Sequence, residues 1–385
     1  MTSVLPNTGE MIARLVGTPS VSSVDPALDM GNRAVCELIA EWAEALGFRI
    51  EWLPIPDHPD KVNLIATLGD GPGGLVLSGH TDTVPYDTTR WRSDPFVVES
   101  RDDRLYGLGT ADMKGFFAVA LAAAERFASG KLRQPLVLLA TADEESGMCG
   151  ARELLAAGRP RASLALIGEP TGLAPVRMHK GVLMEGIRLV GRSGHSSNPA
   201  LGNNAIEGMH EVIGELMAWR RELASEWTNP AFEIPGPTLN LGHIHGGDNP
   251  NRICGECELR IDLRPLPGMD LDALRDTLRE RLATRLEGSG LVLEVESLFP
   301  GLPGMETAPD SPMVRLAESL TGQRAEAVPF ATEGPFLQQL GLDTVVLGPG
   351  GIGQAHQPDE YIELDQVRRG VELLSGLIAS SCTET

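Results

Sequence analysis

The chain has few cysteines, few aromatic residues and no long hydrophobic run. Its 385 residues include only 5 cysteines, and Phe, Trp and Tyr together make up 4%. An odd, scattered set of thiols suits a reducing compartment and predicts no disulfide framework. The longest unbroken apolar stretch, residues 116–124, is well short of the ~20 residues that a membrane-spanning helix requires. The first ten residues carry no basic patch ahead of an apolar run, so we expect no secretory signal and a cytoplasmic protein.

Positive charge is also scarce. Lys and Arg number 32 against 53 Asp and Glu, which gives a formal net charge of −21. This excess of negative charge argues against partners such as nucleic acid or an anionic membrane surface. Hydrophobic residues at 42% and charged residues at 22% are typical of a globular protein. The length exceeds what one hydrophobic core usually supports, so we expect two domains.

The first half of the chain predicts an α/β fold. Segments with helical periodicity alternate with short runs of Val, Leu, Ile and Ala, the pattern that produces βαβ units and a largely parallel sheet. The predicted helices are 32–47 and about 113–128, and the predicted buried strands are 63–68, 75–78, 136–140 and 164–167. We therefore expect an α/β sandwich.

From about residue 180 the order of predicted elements changes to β-α-β-β-α-β, which is the ferredoxin-like motif. The strands are predicted at 182–190, 238–243, 256–264 and 291–296, and the helices at 204–225 and 270–286. The first helix is expected to bury a stripe formed by Ile206, Met209, Ile213, Leu216 and Met217. Helices at 311–321 and 366–379 and a strand at 344–347 then resume the first domain. We expect an inserted domain at 180–297 between catalytic-domain parts 1–179 and 298–385.

Acidic and histidine residues follow several of the predicted buried strands. These residues are His80, Asp82, Glu144, Glu145, Glu169 and His356. The carboxyl ends of parallel strands meet at one edge of an open α/β sheet, so these side chains can come together there. Asp112 immediately precedes the predicted helix at 113, where a carboxylate faces the positive end of the helix.

Two histidines with several carboxylates form a set of nitrogen and oxygen ligands. Such a set suits zinc or cobalt, and it is large enough for two ions with one shared carboxylate. Asp82 lies two positions after His80, so its carboxylate is expected to accept the second imidazole proton. A lone histidine is more often structural, and a lone acidic pair such as Glu144 and Glu145 is more often solvated. Their repeated position after strands favours a metal site.

Several motifs together resemble the zinc-dependent aminoacylase and carboxypeptidase family. In chain order they are HTDTVP (80–85), GTADMKG (109–115), DEESG (143–147), GEPT (168–171) and GHSS (194–197). Further stretches at 237–247, 251–254, 262–268, 332–336 and 354–361 are similar to one bacterial branch of that family. The resemblance covers nearly the whole chain. It implies a metallopeptidase-like α/β sandwich as catalytic domain, with an inserted ferredoxin-like α+β domain that forms a homodimer.

The resemblance also implies roles for individual side chains. The implied metal ligands are His80, Asp112, Glu145, Glu169 and His356, with Asp112 bridging two ions. Glu144 becomes the general base, and His195 reaches the active site of the partner subunit. Asn251 and Arg264 match positions that hold the carboxylate of the substrate, and Thr332 begins a segment that lines the substrate pocket. Without the resemblance, an ordinary surface salt bridge is the favoured role for Arg264.

The implied reaction is hydrolysis of the amide of N2-acetyl-L-ornithine to ornithine and acetate. The expected cofactor is zinc, as one or two ions, with cobalt as an alternative metal. Acetylcitrulline, succinyl-diaminopimelate or a broad range of N-acyl amino acids are alternative substrates. Glu333 is one candidate to bind the terminal ammonium of the substrate, and a surface role for it is equally open.

Other functions are less well supported by the sequence. Residues 348–353, GPGGIG, spell a dinucleotide-binding loop, but the residues at 357–359 interrupt the apolar helix that such a loop needs. A non-catalytic metal-binding protein would have no use for Glu144 beside a complete ligand set. Cys254 and Cys257 spell a redox pair, but a three-residue offset within a strand would send the thiols to opposite faces.

Overall fold

The structure is a computed structural model that describes residues 4–130 and 132–383. The α-helices are α1 Thr8–Val16, α2 Arg33–Ala45, α3 Lys114–Glu125, α4 Cys149–Ala157, α5 Ala205–Glu226, α6 Leu271–Arg285, α7 Pro312–Thr321, α8 Gly334–Gln339 and α9 Leu364–Cys382. The strands are β1 Arg49–Ile55, β2 His58–Leu68, β3 Leu75–His80, β4 Glu99–Arg101, β5 Arg104–Tyr106, β6 Leu136–Thr141, β7 Leu164–Ile167, β8 Val176–His179, β9 Leu183–Val190, β10 Gly194–His195, β11 Thr238–Gly246, β12 Arg252–Ile253, β13 Glu256–Arg264, β14 Val292–Ser297, β15 Met305–Glu306, β16 Glu326–Val328, β17 Asp343–Val346 and β18 Tyr361–Glu363.

The chain divides into two compact units. The first comprises the described residues up to Arg177, Thr307–Glu326 and those from Thr332 onward. The second comprises Met178–Glu306 and Ala327–Ala331. The insertion limits of 180 and 297 stay a prediction.

The first unit contains a mixed sheet with a parallel centre. Its strands follow the order β1-β2-β6-β3-β7-β17-β8, and β6, β3, β7 and β17 are parallel neighbours. This centre confirms the α/β class. The predicted strand at 63–68 is the end of the longer β2, which runs antiparallel to β6 rather than parallel. β2 also forms an antiparallel hairpin with β1, and Asp57 between these two strands adopts the left-handed region at φ 64°.

Helix α3 lies in the core of this unit. It contacts α1, α9 and β3, and its side chains from Phe116 to Leu121 are buried. Gly168 directly follows β7, and a Cβ added there would lie 2.1 Å from Cδ2 of Phe116. Only glycine therefore allows this strand end to approach the helix so closely. The next residue is Glu169, so the close packing of Gly168 against α3 fixes the backbone position from which the Glu169 side chain extends.

The second unit has the ferredoxin-like order that the sequence predicts. Its antiparallel strands are arranged β11-β13-β9-β14, and α5 and α6 pack on this sheet. The predicted stripe on α5 is partly wrong, because Ile206 and Met217 are 47% and 39% exposed. Val212 and Trp219 are buried in addition to Met209 and Leu216. The buried face is therefore rotated from the predicted one.

The cysteines are free thiols, as the sequence predicts. Cys254 lies before β13 rather than within it, so the strand-offset prediction for Cys254 and Cys257 is wrong. Both thiols are buried in the core of the second unit. Within the described residues, no helix is long and apolar enough to cross a membrane.

Burial of His179 predicts that the protein loses stability in mild acid. Burial lowers the pKa of His179 to about 4, although its ring Nδ1 lies 2.8 Å from the Lys180 carbonyl oxygen. The stabilisation from the neutral ring is complete above the ordinary pKa of 6.5, and it is lost as the pH falls towards 4. Between pH 7.5 and 5 this loss amounts to about 2 kcal/mol.

Urea unfolding at the two pH values measures this loss. The His179→Gln variant is expected to lose about 2 kcal/mol less than the wild type over the same interval. The control is His58→Gln, because His58 is exposed. Equal losses in the wild type and the His179 variant would contradict the prediction.

Candidate metal centre

The predicted ligands gather at one edge of the central sheet. His80 ends β3, Glu144 and Glu145 follow β6, and Glu169 follows β7. These strands are parallel neighbours, so their carboxyl ends lie side by side. Asp112 comes two residues before the first residue of α3, which packs against β3.

A first group of ligand atoms surrounds His80. Its Nε2 lies 3.1 Å from Oδ1 of Asp112 and 3.8 Å from Oε1 of Glu169. All three side chains are buried. Ligands at about 2.1 Å from a tetrahedral ion are about 3.4 Å from one another, so these atoms fit around one divalent cation.

A second group of ligand atoms surrounds His356. Its Nε2 lies 3.0 Å from Oε2 of Glu145 and 3.5 Å from Oδ2 of Asp112. Asp112 therefore directs one oxygen towards each histidine, which is the arrangement of a bridging carboxylate. In both groups the ligand atoms lie within 4.8 Å of one another. The imidazole and carboxylate donors, and their spacing, fit two divalent cations such as zinc or cobalt.

The glutamate carboxyl groups of the site have raised pKa values, whereas the pKa of Asp112, against the effect of burial, is lowered by its histidine neighbours. Burial raises the pKa of Glu169 well above its ordinary value, and the negative charge of Asp112 raises it further. Burial disfavours a charged His80 ring, but its carboxylate neighbours outweigh burial and raise the pKa of His80 well above 6.5. A cluster of so many acidic groups favours the binding of divalent cations. Such binding displaces the protons that the raised pKa values keep on these groups.

Glu144 belongs to neither of these two groups, but it forms a third group of possible ligand atoms with His80 and Glu145. Its ligand atoms come within 4.8 Å of those of His80 and Glu145. Burial raises the pKa of Glu144 well above its ordinary value, and the charges of Glu169 and Glu145 add to this effect. A carboxylate with a raised pKa binds a proton more strongly than an ordinary carboxylate, as a general base requires.

The contact between Asp82 and His80 differs in detail from the prediction. The nearest acceptor to Nδ1 of His80 is the backbone carbonyl oxygen of Asp82 at 2.9 Å, while Oδ1 of its carboxylate is 3.7 Å away. Oδ2 of Asp82 instead accepts a hydrogen bond from the backbone N–H of Glu145 at 3.0 Å. Among the described residues, Oδ1 of Asp82 has no hydrogen-bond partner. The carbonyl thus orients the ring, and the carboxylate supports the turn that carries Glu145.

Sequence reasoning missed Glu360, which holds the loop before α3. Its Oε1 accepts hydrogen bonds from the N–H groups of Ala111 at 2.7 Å and Asp112 at 3.0 Å, and its Oε2 accepts one from Gly109 at 3.0 Å. Burial and the charge of Asp112 raise the pKa of Glu360 to about 8, against the effect of these donors. The position four residues after His356 could have pointed to it. Glu360 therefore links the segment of one ligand to the loop of another.

Replacing Glu360 by Gln is expected to destabilise the protein by about 1–3 kcal/mol. The amide NH2 group would face a buried N–H donor, which then lacks an acceptor. Urea unfolding measures the change. The control is Glu363→Gln, because Glu363 forms a partly exposed ion pair with Arg104 and should change stability by less than about 1 kcal/mol. Equal destabilisation by both variants would refute this role.

The side chains predicted at 332 and 333 are both buried. Oγ1 of Thr332 accepts a hydrogen bond from the N–H of Gly334 at the start of α8. Oε2 of Glu333 accepts one from the Thr141 hydroxyl at 2.9 Å, at the end of β6. Burial raises the pKa of Glu333 to about 7. A surface role for Glu333 is therefore wrong.

The remaining predicted residues belong to the second unit. His195 is exposed in β10, and its Nδ1 accepts a hydrogen bond from the Ser197 backbone N–H. Asn251 is also exposed. It lies close to His195 in space, because its carbonyl oxygen accepts a hydrogen bond from the N–H of Ser196 at 3.1 Å. Arg264 ends β13, and its Nε lies 3.0 Å from an oxygen of Asp262.

The glycine-rich segment after β17 does not form a dinucleotide site. A short 3-10 helix, Ile352–Gln354, follows these glycines, and the next α-helix, α9, starts only at Leu364. No helix N-terminus is therefore available at the glycines to bind a pyrophosphate.

The site has two groups of metal-ligand atoms at the edge of an α/β sheet, and a carboxylate outside them can act as a base. These features define a metal-dependent hydrolase. The chain belongs to peptidase family M20/M25/M40, whose sequence profile matches residues 76–380. This finding agrees with the resemblance noted from the motifs.

Curated relatives match the chain over its full length. It is 50% identical over 382 residues to an acetylornithine deacetylase from Edwardsiella ictaluri, covering 99% of this chain and 100% of that protein. It is 48% identical over 379 residues to an acetylornithine deacetylase from Pasteurella multocida, covering 98% and 99%. An M20 family metallo-carboxypeptidase from Sulfolobus solfataricus shares the fold, with a TM-score of 0.77, 19% identity and coverage of 97% and 99%.

Proposed function

We propose that this protein hydrolyses N2-acetyl-L-ornithine to L-ornithine and acetate, as a step in arginine biosynthesis. The observation that carries the proposal is its identity of about 50%, over the full length, to relatives named acetylornithine deacetylase. The site supports it, since the groups around His80 and His356 suit the hydrolysis of an unreactive amide. The free cysteines favour a cytoplasmic enzyme.

Glu144 is the proposed general base. Divalent cations bound by the two groups, zinc or alternatively cobalt, would lower the pKa of water and polarise the amide carbonyl. Glu144 takes a proton from the attacking water and later delivers it to the nitrogen of the departing amine. The buried Asp82 and the backbone around it keep His80 and Glu145 in place while this happens.

Side chains of the second unit are proposed to bind the substrate. Arg264 uses Nε for Asp262, and its terminal NH2 groups offer a planar fork to the α-carboxylate of the substrate, with Asn251 as a further donor. Thr332, which belongs to the first unit, is proposed to line the pocket. His195, exposed on β10, donates to the oxyanion in the active site of the partner subunit.

If His195 acts in the active site of the partner subunit, a dimer formed from two different inactive variants should regain activity. Co-expression of Glu144→Gln with His195→Asn gives mixed dimers in which one site has both natural residues. About a quarter of wild-type activity is expected from random pairing. The measurement compares the co-expressed protein with each variant purified alone. No activity above that of the separate variants would contradict transfer across an interface.

The substrate is tested by comparing N-acetylated amino acids on one metal-loaded preparation. The second candidates are acetylcitrulline, succinyl-diaminopimelate and a general range of N-acyl amino acids. We expect the highest kcat/KM for acetylornithine, above those for acetylcitrulline and acetylmethionine. Equal values would replace the proposed substrate by a general aminoacylase activity. The same preparation, analysed for metal content, gives the number and identity of the ions.

A further inference from the structure

The acidic turn after β6 is organised by the carboxylate of Asp143. Its Oδ1 accepts hydrogen bonds from Nζ of Lys61 at 2.5 Å, the hydroxyl of Ser22 at 2.7 Å and the hydroxyl of Ser146 at 2.8 Å. Its Oδ2 accepts one from the N–H of Gly147 at 3.1 Å. The carboxylate thus contacts the far side of the same turn, β2 and the segment before α2.

Lys61 is itself held on both sides. Its side chain is only 6% exposed, and Nζ lies 2.8 Å from Oδ1 of Asp29 as well as against Asp143. Oδ1 of Asp29 also accepts a hydrogen bond from the N–H of Ser23 at 3.0 Å. A rotamer-rich lysine fixed in this way acts as a rigid strut between β2 and the turn.

The neighbouring Glu144 has no such support of its own. Within residues 4–130 and 132–383, no hydrogen bond holds its carboxylate, so its position depends on the backbone of the turn. Asp143, directly before it, adopts the left-handed region at φ 65°, which a non-glycine residue keeps only when its surroundings hold it. Hydrogen bonds to Asp143 are therefore what fixes the direction in which Glu144 leaves the backbone.

We propose that Lys61 and Asp143 are positioning residues that aim Glu144 at the reacting water. Neither residue belongs to the groups of metal-ligand atoms, and both act through the turn. A general base must lie within hydrogen-bond reach of the proton it takes, and small displacements cost large factors in rate. Loosening this pair should lower kcat, because the metal ligands and the substrate contacts remain. The inference rests on the proposed role of Glu144 as base.

The test compares variants of the full-length, metal-loaded protein. Asp143→Asn and Lys61→Met are expected to lower kcat by about 10-fold to 100-fold, with KM within about threefold of wild type. Metal content and the visible spectrum of the cobalt-loaded protein should stay unchanged. Lys61→Arg keeps the positive charge and is expected to recover most of the lost kcat.

A buried ion pair in the second unit provides the matched control. Glu185 is fully buried, and its carboxylate accepts hydrogen bonds from Arg275 and the hydroxyl of Ser297. Glu185→Gln removes a comparable contact, so it should lower the melting temperature as Asp143→Asn does and leave kcat unchanged. If Asp143→Asn does not fold, Ser146→Ala removes a single donor to Asp143 and should lower kcat about two- to fivefold.

The inference is overturned if kcat of the Asp143 and Lys61 variants stays within threefold of wild type. It is also overturned if activity and metal content fall together, or if Glu185→Gln loses as much kcat at an equal fall in melting temperature. A wrong substrate assignment would give a different result from a wrong assignment of the positioning residues. In that case the wild type itself prefers another N-acyl amino acid, and the variants are compared on that amide.

Discussion

Replacing Glu144 by Gln is expected to reduce hydrolysis of acetylornithine by about 1,000-fold or more, with bound metal unchanged. Gln has the same shape as Glu but accepts no proton at neutral pH. Glu144 stands outside both groups that contain Asp112, so its substitution removes no ligand from either. Steady-state kinetics and metal analysis of the same purified sample measure the two quantities.

The comparison variant for this prediction is Glu145→Gln. Glu145 faces His356 at 3.0 Å, so its substitution should lower metal content as well as activity. Unchanged turnover in Glu144→Gln would show that another group is the base. A loss of metal equal to that of Glu145→Gln would assign Glu144 to the ligands instead.

Replacing Asp112 by Ala should have the second largest effect, because both groups of ligand atoms share this carboxylate. Oδ1 faces His80 and Oδ2 faces His356, so its loss weakens both cation sites at once. Activity is expected to fall by about 1,000-fold or more, and metal content should fall at both sites. His356→Ala, in contrast, removes a ligand of one group only and should leave the other cation bound.

Metal titrations followed by calorimetry distinguish these outcomes. Asp87→Ala is a suitable control, since Asp87 is an exposed residue whose carboxylate accepts hydrogen bonds from the backbone N–H and the hydroxyl of Thr89. Retention of both cations by Asp112→Ala would remove the bridging role from this residue. Loss of both by His356→Ala would show that the groups do not bind separately.

The sequence could predict that the site residues come together, because their proximity depends on the topology of the strands that precede them. His80, Glu144 and Glu169 each follow a strongly apolar strand, and such strands pair in parallel with their ends at one edge. This rule predicts that these side chains meet at one edge, whereas the role of Glu144 as base was implied by the family resemblance. The pairing of ligands into two groups was instead implied by the family resemblance.

Finer contacts could not be read from the sequence, because each depends on distances of about 1 Å. Whether Nδ1 of His80 meets the carbonyl or the carboxylate of Asp82 depends on the local turn, which residue spacing does not reveal. Glu360 was missed because its partners are backbone N–H groups, which every sequence offers everywhere. Likewise, β1 was missed because its exposed and half-buried residues show no apolar alternation.

Two cations that shared Asp112 would have thermodynamically dependent affinities. The first ion to bind would order the carboxylate for the second, and it would also withdraw electron density from it and add positive charge nearby. Whichever of these effects is larger, linkage requires that each ion alter the affinity of the other by the same factor. Occupancy should therefore rise with metal concentration in coupled rather than independent steps. The metal concentration around the enzyme would then set its activity more steeply, or more gradually, than two separate sites could.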